Sequence, residues 1–178
     1  MYKAIIYDAL EQFISKLDRQ TITLVDWGCG QGIASMLVLD YIKEKQLNIK
    51  LLNSILIDDN MQTLNRAMVH TNVLAYSDDI KISAYDVNSD ISDILVKLDN
   101  LIVLNLIVND KIYEKIQNID FKNDYFLCLS NQNNVNIDKF YKVLNNSKDV
   151  ENLSIRDCKI GKFEKFERIF KLNDEIPF

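Results

Sequence analysis

The residues whose types and spacing could do chemistry begin at Val25-Asp26-Trp27-Gly28-Cys29-Gly30-Gln31-Gly32, which holds three of the chain's four glycines. Glycine serves where the backbone takes positive φ or where a ligand must approach it closely. The pattern is Asp-x-Gly-x-Gly-x-Gly, and the position that would complete a Gly-x-Gly-x-x-Gly dinucleotide fingerprint is Ile33. A pyrophosphate at a helix N-terminus wants free amides and no nearby carboxylate. Asp26 would repel it, whereas a ligand carrying an ammonium and a sulfonium would be helped. The plainer alternative is a strand-to-helix turn that uses glycine for packing alone. A second carboxylate set, Asp58-Asp59, ends an apolar run, and a ribose with paired hydroxyls wants an acceptor of this kind. The alternative for Asp58 is a helix N-cap.

Regular elements must position these groups. Ile22 to Val25 reads as a buried strand, about Thr21 to Trp27, and a helix is predicted from Gly30 to about Glu44. Strand, glycine turn and helix open a nucleotide-binding α/β unit, with the ligand above the strand's C-terminal end. A second strand is predicted at about Leu51 to Ile57 and a third at about Asp79 to Tyr85, each followed by helical patterning. A fourth covers Leu101 to Leu104, closed by Asn105, and a fifth about Tyr125 to Ser130. The polar loop Asn131 to Asn134 follows, with a helix carrying Ile137, Phe140, Tyr141 and Leu144. Two last strands, about Asn152 to Asp157 and Lys165 to Leu172, suggest a hairpin turning at Gly161. Ahead of all this, residues 3–18 read as an amphipathic helix with Ile6, Leu10, Phe13 and Leu17 on one stripe. It is expected to pack on the sheet; covering the ligand is the other option.

With the turn and the second carboxylate in place, the chain resembles the class I S-adenosylmethionine-dependent methyltransferases. The resemblance rests on Asp26, Gly28, Gly30 and Gly32, and on Asp58 followed by Leu64 and Ala67 where that family carries Leu and Ala. It implies an α/β, Rossmann-like three-layer sandwich. The sheet would be seven-stranded and mostly parallel, with an antiparallel C-terminal hairpin and an N-terminal helix, all in one domain over residues 1–178. It implies S-adenosyl-L-methionine as cofactor. Asp26, Gly28, Cys29, Gly30 and Gly32 would line its methionine end, and Asp58, or Asp59 if the strand ends one residue later, would hold the ribose. Asp86 would face the adenine amino group, with the Val87 amide on a ring nitrogen. Asn105, at the end of the fourth strand, would lie near the transferable methyl, with Asn105 and Asn109 as the acceptor-side candidates.

The same resemblance narrows the reaction. Asn105-Leu106-Ile107-Val108 is not the Asn/Asp-Pro-Pro-Tyr/Phe set of the exocyclic-amine methyltransferases, and no Pro-Cys nucleophile of the cytosine-C5 enzymes is present; the only proline is Pro177. Methyl transfer by in-line displacement to an unidentified small-molecule or macromolecular acceptor is therefore expected. A different class of role stays open: an inactive or partner-dependent S-adenosylmethionine-binding subunit, with a partner protein supplying substrate recognition. Aminopropyl transfer is a third reading, without the acidic pair and larger N-terminal part it usually needs.

Composition sets the remaining bounds. A chain of 178 residues, 48% hydrophobic and 26% charged, is ordinary for a globular domain. Its net charge of −5 disfavours a grip on duplex nucleic acid. The basic residues of the tail, Arg156 to Lys171, are interspersed with acids. No apolar run nears the ~20 residues of a membrane span, and no signal peptide is visible, so a cytoplasmic location without membrane attachment is expected. Cys29, Cys128 and Cys158 have neither disulfide nor zinc spacing, and no metal site is expected. His70, the only histidine, reads as ordinary surface. Trp27 could pack beside the ligand or under the sheet.

Overall fold

The computed structural model describes residues 2–14, 20–75, 79–90, 100–105, 114–115, 125–130, 150–160 and 163–172. The elements are α1 (Tyr2–Ile14), β1 (Thr21–Trp27), α2 (Ile33–Glu44), β2 (Lys50–Asp58), α3 (Met61–Ala75), β3 (Lys81–Asp86), β4 (Asn100–Asn105), β5 (Tyr125–Ser130), β6 (Val150–Ile160) and β7 (Phe163–Leu172). The parallel part of the sheet runs in the order β3-β2-β1-β4-β5. Successive strands step outward from β1 on one side and then restart on its other side at β4. That reversal is the topological switch point, where open α/β sheets bind ligands beyond the strands' C-terminal ends. Beyond β5 the backbone pairs with β7 antiparallel, and β7 pairs with β6 antiparallel.

β1 shows why the sheet sits in the middle. Apart from Thr21 at its start, every residue is buried, as expected of a parallel strand covered on both faces. Ile22, Leu24 and Asp26 alternate with Thr23, Val25 and Trp27. The first set joins the helices: Ile22, Leu24 and Leu51 cluster with Ala34, Val38, Leu39 and Tyr41 of α2. Leu56 of β2 packs with Cys29 and with Leu64 and Ala67 of α3. Val25 and Trp27, with Ile55 and Ile57 of β2, are at most 3% exposed on the other face. Trp27 therefore lies on the sheet face away from α2 and α3.

Helix α1 ends the same core. Ile6 and Leu10 are each 1% exposed and join the β1–α2 cluster. On its outer side Lys3 reaches Asp40 at 2.9 Å and Glu44 at 3.2 Å, and the Tyr7 hydroxyl donates to Asp40 at 2.8 Å. The Tyr7 and Tyr41 rings meet edge-on at 4.8 Å. The helix expected over residues 3–18 thus packs against α2 on the sheet, and residues 15–19 with Leu17 lie outside the described residues, as does the side chain of Phe13.

Element boundaries differ from expectation at one instructive place. The helix expected from Gly30 begins at Ile33, because Gly32 adopts left-handed geometry as its N-cap (φ 78°) and Gly30 is left-handed too (φ 53°). The helical patterning expected after the third strand (residues 91–98), the loop 131–134 and the helix after it fall outside the described residues.

Candidate ligand site at the glycine turn

The turn is built from β1 outward. At the end of the strand, Gly28 and Cys29 both donate their amides to the Ile57 carbonyl, at 2.9 and 3.0 Å. This pins the start of the turn to the last residues of β2. The Gly30 amide then donates to Asp58 Oδ2 at 2.9 Å, and the other carboxylate oxygen accepts the Asn60 amide at 3.0 Å. One step further, the Val87 amide donates to the Asp58 carbonyl at 3.0 Å. Asp86, paired in register with Asp58, accepts the Asn88 amide and the Asn88 side chain, each at 2.7 Å. Hydrogen bonds thus tie Gly28 and Cys29 to Ile57, Gly30 to Asp58, and Val87 to Asp58, across the C-terminal ends of β1, β2 and β3.

Asp58 is not the cap of the helix that follows it. Asn60 takes that role, its side-chain oxygen accepting the amides of Gln62 at 3.0 Å and Thr63 at 3.2 Å. Asp58 is half-buried and spends one lone pair of each oxygen on an amide. A carboxylate has about four such sites, so it can still accept from a pair of ligand hydroxyls. Asp59 is exposed.

Asp26 differs from expectation. It is 0% exposed, and its Oδ2 accepts both the Ser35 amide at 3.2 Å and the Ser35 hydroxyl at 2.7 Å. Ser35 lies in the first turn of α2, whose N-cap offers no side-chain hydrogen bond. A carboxylate on β1 thus satisfies an amide that the helix leaves open, and it sits where the helix dipole favours negative charge. Asp26 fixes how α2 leaves the turn, rather than standing open beside a ligand. The expected Val87 contact is also redirected, since its amide is already given to Asp58.

The glycines divide the turn. A Cβ built on Gly30 would meet nothing within 4 Å, so this side faces open space. On Gly32 it would lie 3.1 Å from Thr71 Oγ1 and 3.2 Å from both Cα and Cβ of Ala67. Cys29 is buried, and burial pushes its thiol well above the ordinary value, with the charges of Asp26 and Asp58 adding to the shift. It stays a neutral thiol. His70, read from sequence as surface, reaches across from α3 and contacts the Gln31 carbonyl at 3.1 Å. Nothing in the sequence pattern marked that pairing.

Asn105 ends β4, the strand that flanks β1 with Leu104 beside Trp27; its backbone therefore borders the same edge. Asn109 lies outside the described residues. Among the described residues, no group of three or more His, Cys, Asp or Glu gathers to hold a metal. A cavity of about 450 Å³ opens at the other end of the molecule, where Leu39, Ile42, Leu47, Lys50 and Ile80 surround the start of β2. It is far along the strands from the glycine turn.

No protein-family model matches the sequence, and no curated protein matches it. Solved structures do. A Listeria monocytogenes protein classed among the class I S-adenosylmethionine-dependent methyltransferases superposes with a TM-score of 0.66 at 12% identity, over 97% of this chain and 59% of that one. The Pyrococcus horikoshii TYW2 protein, solved with MeSAdo, gives 0.62 at 13% identity over 92% of this chain and 61% of its own. This chain has the fold of the class I methyltransferases. The M. capricolum TrmK protein, solved with S-adenosylhomocysteine, shares that methyltransferase fold with a TM-score of 0.58 at 13% identity, over 95% of this chain and 71% of its own. The chain spans about three fifths of the Listeria and Pyrococcus proteins. Among the described residues, no helix is long and apolar enough to cross a membrane.

Proposed function

We propose that the chain is an S-adenosylmethionine-dependent methyltransferase domain. The hydrogen-bonded line from Gly30 through Asp58 to Val87 carries the reading, because it sets a glycine with open space beside a half-buried carboxylate at the switch point of the sheet. Gly28, Cys29 and Gly30 border the methionine end, and Gly32 shapes the turn from behind. Asp26 supports them through Ser35. Asp58 accepts from the ribose hydroxyls, with Asp59 next to it as the alternative. Asp86 faces the adenine amino group, and buried Val87 forms the apolar wall beside it. Asn105 borders the methyl end, where Asn109 is the second acceptor-side candidate. The β6–β7 ribbon is read as the closing antiparallel hairpin of a seven-stranded methyltransferase sheet, in one domain.

The cofactor would supply an already activated sulfonium methyl. Bound there, it would offer that methyl to an acceptor's lone pair by in-line displacement, leaving S-adenosylhomocysteine and the acceptor's proton as products. The protein's share is alignment and exclusion of water, so a dedicated base is not required. The buried, neutral Cys29 thiol suits this role, because it places no competing thiolate near an electrophilic methyl. The acceptor is a small molecule or a macromolecule, recognised with the help of a partner protein or of further chain. The capping of α2 by Asp26 also supports this cofactor over a dinucleotide, whose pyrophosphate would need that helix end.

Thermal shift with S-adenosylmethionine, S-adenosylhomocysteine and NAD side by side tests the reading. A ligand at ~100 times its Kd adds about 2.7 kcal/mol. For a chain of this size that is a rise of roughly 5–10 °C. A rise with both adenosyl ligands and none with NAD is expected. A rise with NAD alone, or with none of the three, would remove the assignment.

A further inference from the structure

We propose that His70 is a positioning residue that clamps the glycine turn in its ligand-binding shape from the neighbouring helix. The inference rests on the reading that this turn holds S-adenosylmethionine.

Gln31 stands between two left-handed glycines, at φ 53° and 78°. Such a segment has more conformational freedom than any other, and binding must suppress it. On the ligand side Gly30 is tied by its amide to Asp58. On the far side α3 presents Ala67, His70 and Thr71, spaced so that all three lie on one face of the helix. A Cβ on Gly32 would crowd Ala67 and Thr71, so α3 packs tightly against the back of the turn. His70 adds a directional contact from α3, Nδ1 to the Gln31 carbonyl at 3.1 Å, while the amide end of the same peptide, Gly32 N–H, donates to the Cys29 carbonyl at 2.8 Å. A carbonyl oxygen only accepts, so Nδ1 carries the proton and donates. The bond holds the carbonyl end of the Gln31–Gly32 peptide, so that both ends of the peptide next to Gly30 are tied. His70 touches neither the Gly30 space nor Asp58 in this arrangement. It acts through the turn.

The test is calorimetric titration of S-adenosylhomocysteine into the wild type and three variants, with ligand-free melting of each. His70→Asn keeps a donor near the position of Nδ1, His70→Gln moves it one atom further out, and His70→Leu removes it. A lost neutral hydrogen bond corresponds to a weakening of roughly three- to tenfold. His70→Leu is expected to weaken binding by that factor, His70→Asn to stay within about twofold of wild type, and His70→Gln to fall between. If His70→Leu binds like wild type, or if Asn restores nothing relative to Gln, the clamp is overturned while the cofactor assignment stands. If the leucine variant fails to fold, the Asn–Gln pair decides alone, since both are polar and differ only in reach. Absence of binding by the wild type itself would overturn the cofactor assignment and the clamp with it.

Discussion

Gly30 and Gly32 stand two residues apart in one turn, share left-handed geometry, and do opposite things. Gly30 looks onto open space and gives its amide to Asp58, while a Cβ on Gly32 would crowd Ala67 and Thr71 of α3. Asp58 and Asp26 divide in the same way. One is half-buried beside Gly30; the other is sealed in the core and accepts from Ser35. The front of the turn is shaped to receive something, and the back is shaped to hold the front still. A single motif therefore contains residues whose loss should show in binding and residues whose loss should show in folding.

Substitutions can separate the two halves. Gly32→Ala is expected to give the largest effect. It combines the left-handed strain of about 1–2 kcal/mol with overpacking of similar size against Ala67 and Thr71. Melting should fall by roughly 5–15 °C, read by circular dichroism without ligand. Gly30→Ala bears only the strain, so its melting temperature should drop by a few degrees, yet calorimetry should find S-adenosylhomocysteine binding weakened by an order of magnitude or more. Equal behaviour of the two variants would erase the distinction. Asp58→Asn comes next: it keeps an oxygen for one amide and loses a charge-assisted acceptor, a loss of roughly tenfold or more in affinity. Unchanged affinity would remove Asp58 from the ribose.

Cys29 sharpens the same contrast without a binding assay. Its thiol is held above the ordinary range by burial and by two carboxylates, so the folded protein keeps it protonated where an exposed cysteine ionises. Alkylation at pH 8 followed by peptide mapping should leave Cys29 unmodified in the native state and modified in denaturant. Rapid native labelling would mean the turn is open at the back. The smallest effect is expected at the α1–α2 seam. Hydrogen bonds from Lys3 and Tyr7 hold the Asp40 carboxyl below the usual range. A depressed carboxyl stabilises the fold above its unfolded pKa, and that contribution is lost as the pH falls through the folded value. Asp40→Asn should therefore cost a little stability near neutral pH and nothing at strongly acid pH, because the seam is exposed.

The parallel α/β core was legible in the sequence because alternating or continuous apolar runs and a glycine cluster are local signals. The glycine spacing and the Asp58-Leu64-Ala67 pattern located the turn and its neighbouring carboxylate. What spacing could not reveal was the direction in which each group faces. Asp26 was expected beside a ligand; its partner Ser35 is a single hydroxyl in the next helix, with nothing in its residue type to announce the pairing. His70 was read as surface because it has no partner set for metal or triad chemistry, yet its partner is a backbone carbonyl, which sequence does not display. Asp58 could have been read as the cap of α3, but that role falls to Asn60, two residues nearer the helix. The side of the sheet taken by Trp27 followed only from strand alternation once Asp26 was seen to face α2.

The most direct test is an amide-resolved NMR titration of the labelled protein with S-adenosylhomocysteine. The account predicts saturable shifts at Gly28 to Gly32, Asp58 to Asn60 and Asp86 to Asn88, with the amides around Lys50 and Ile80 at the opposite end of the strands unmoved. Shifts confined to that opposite cavity, or none at the turn under saturating ligand, would contradict it.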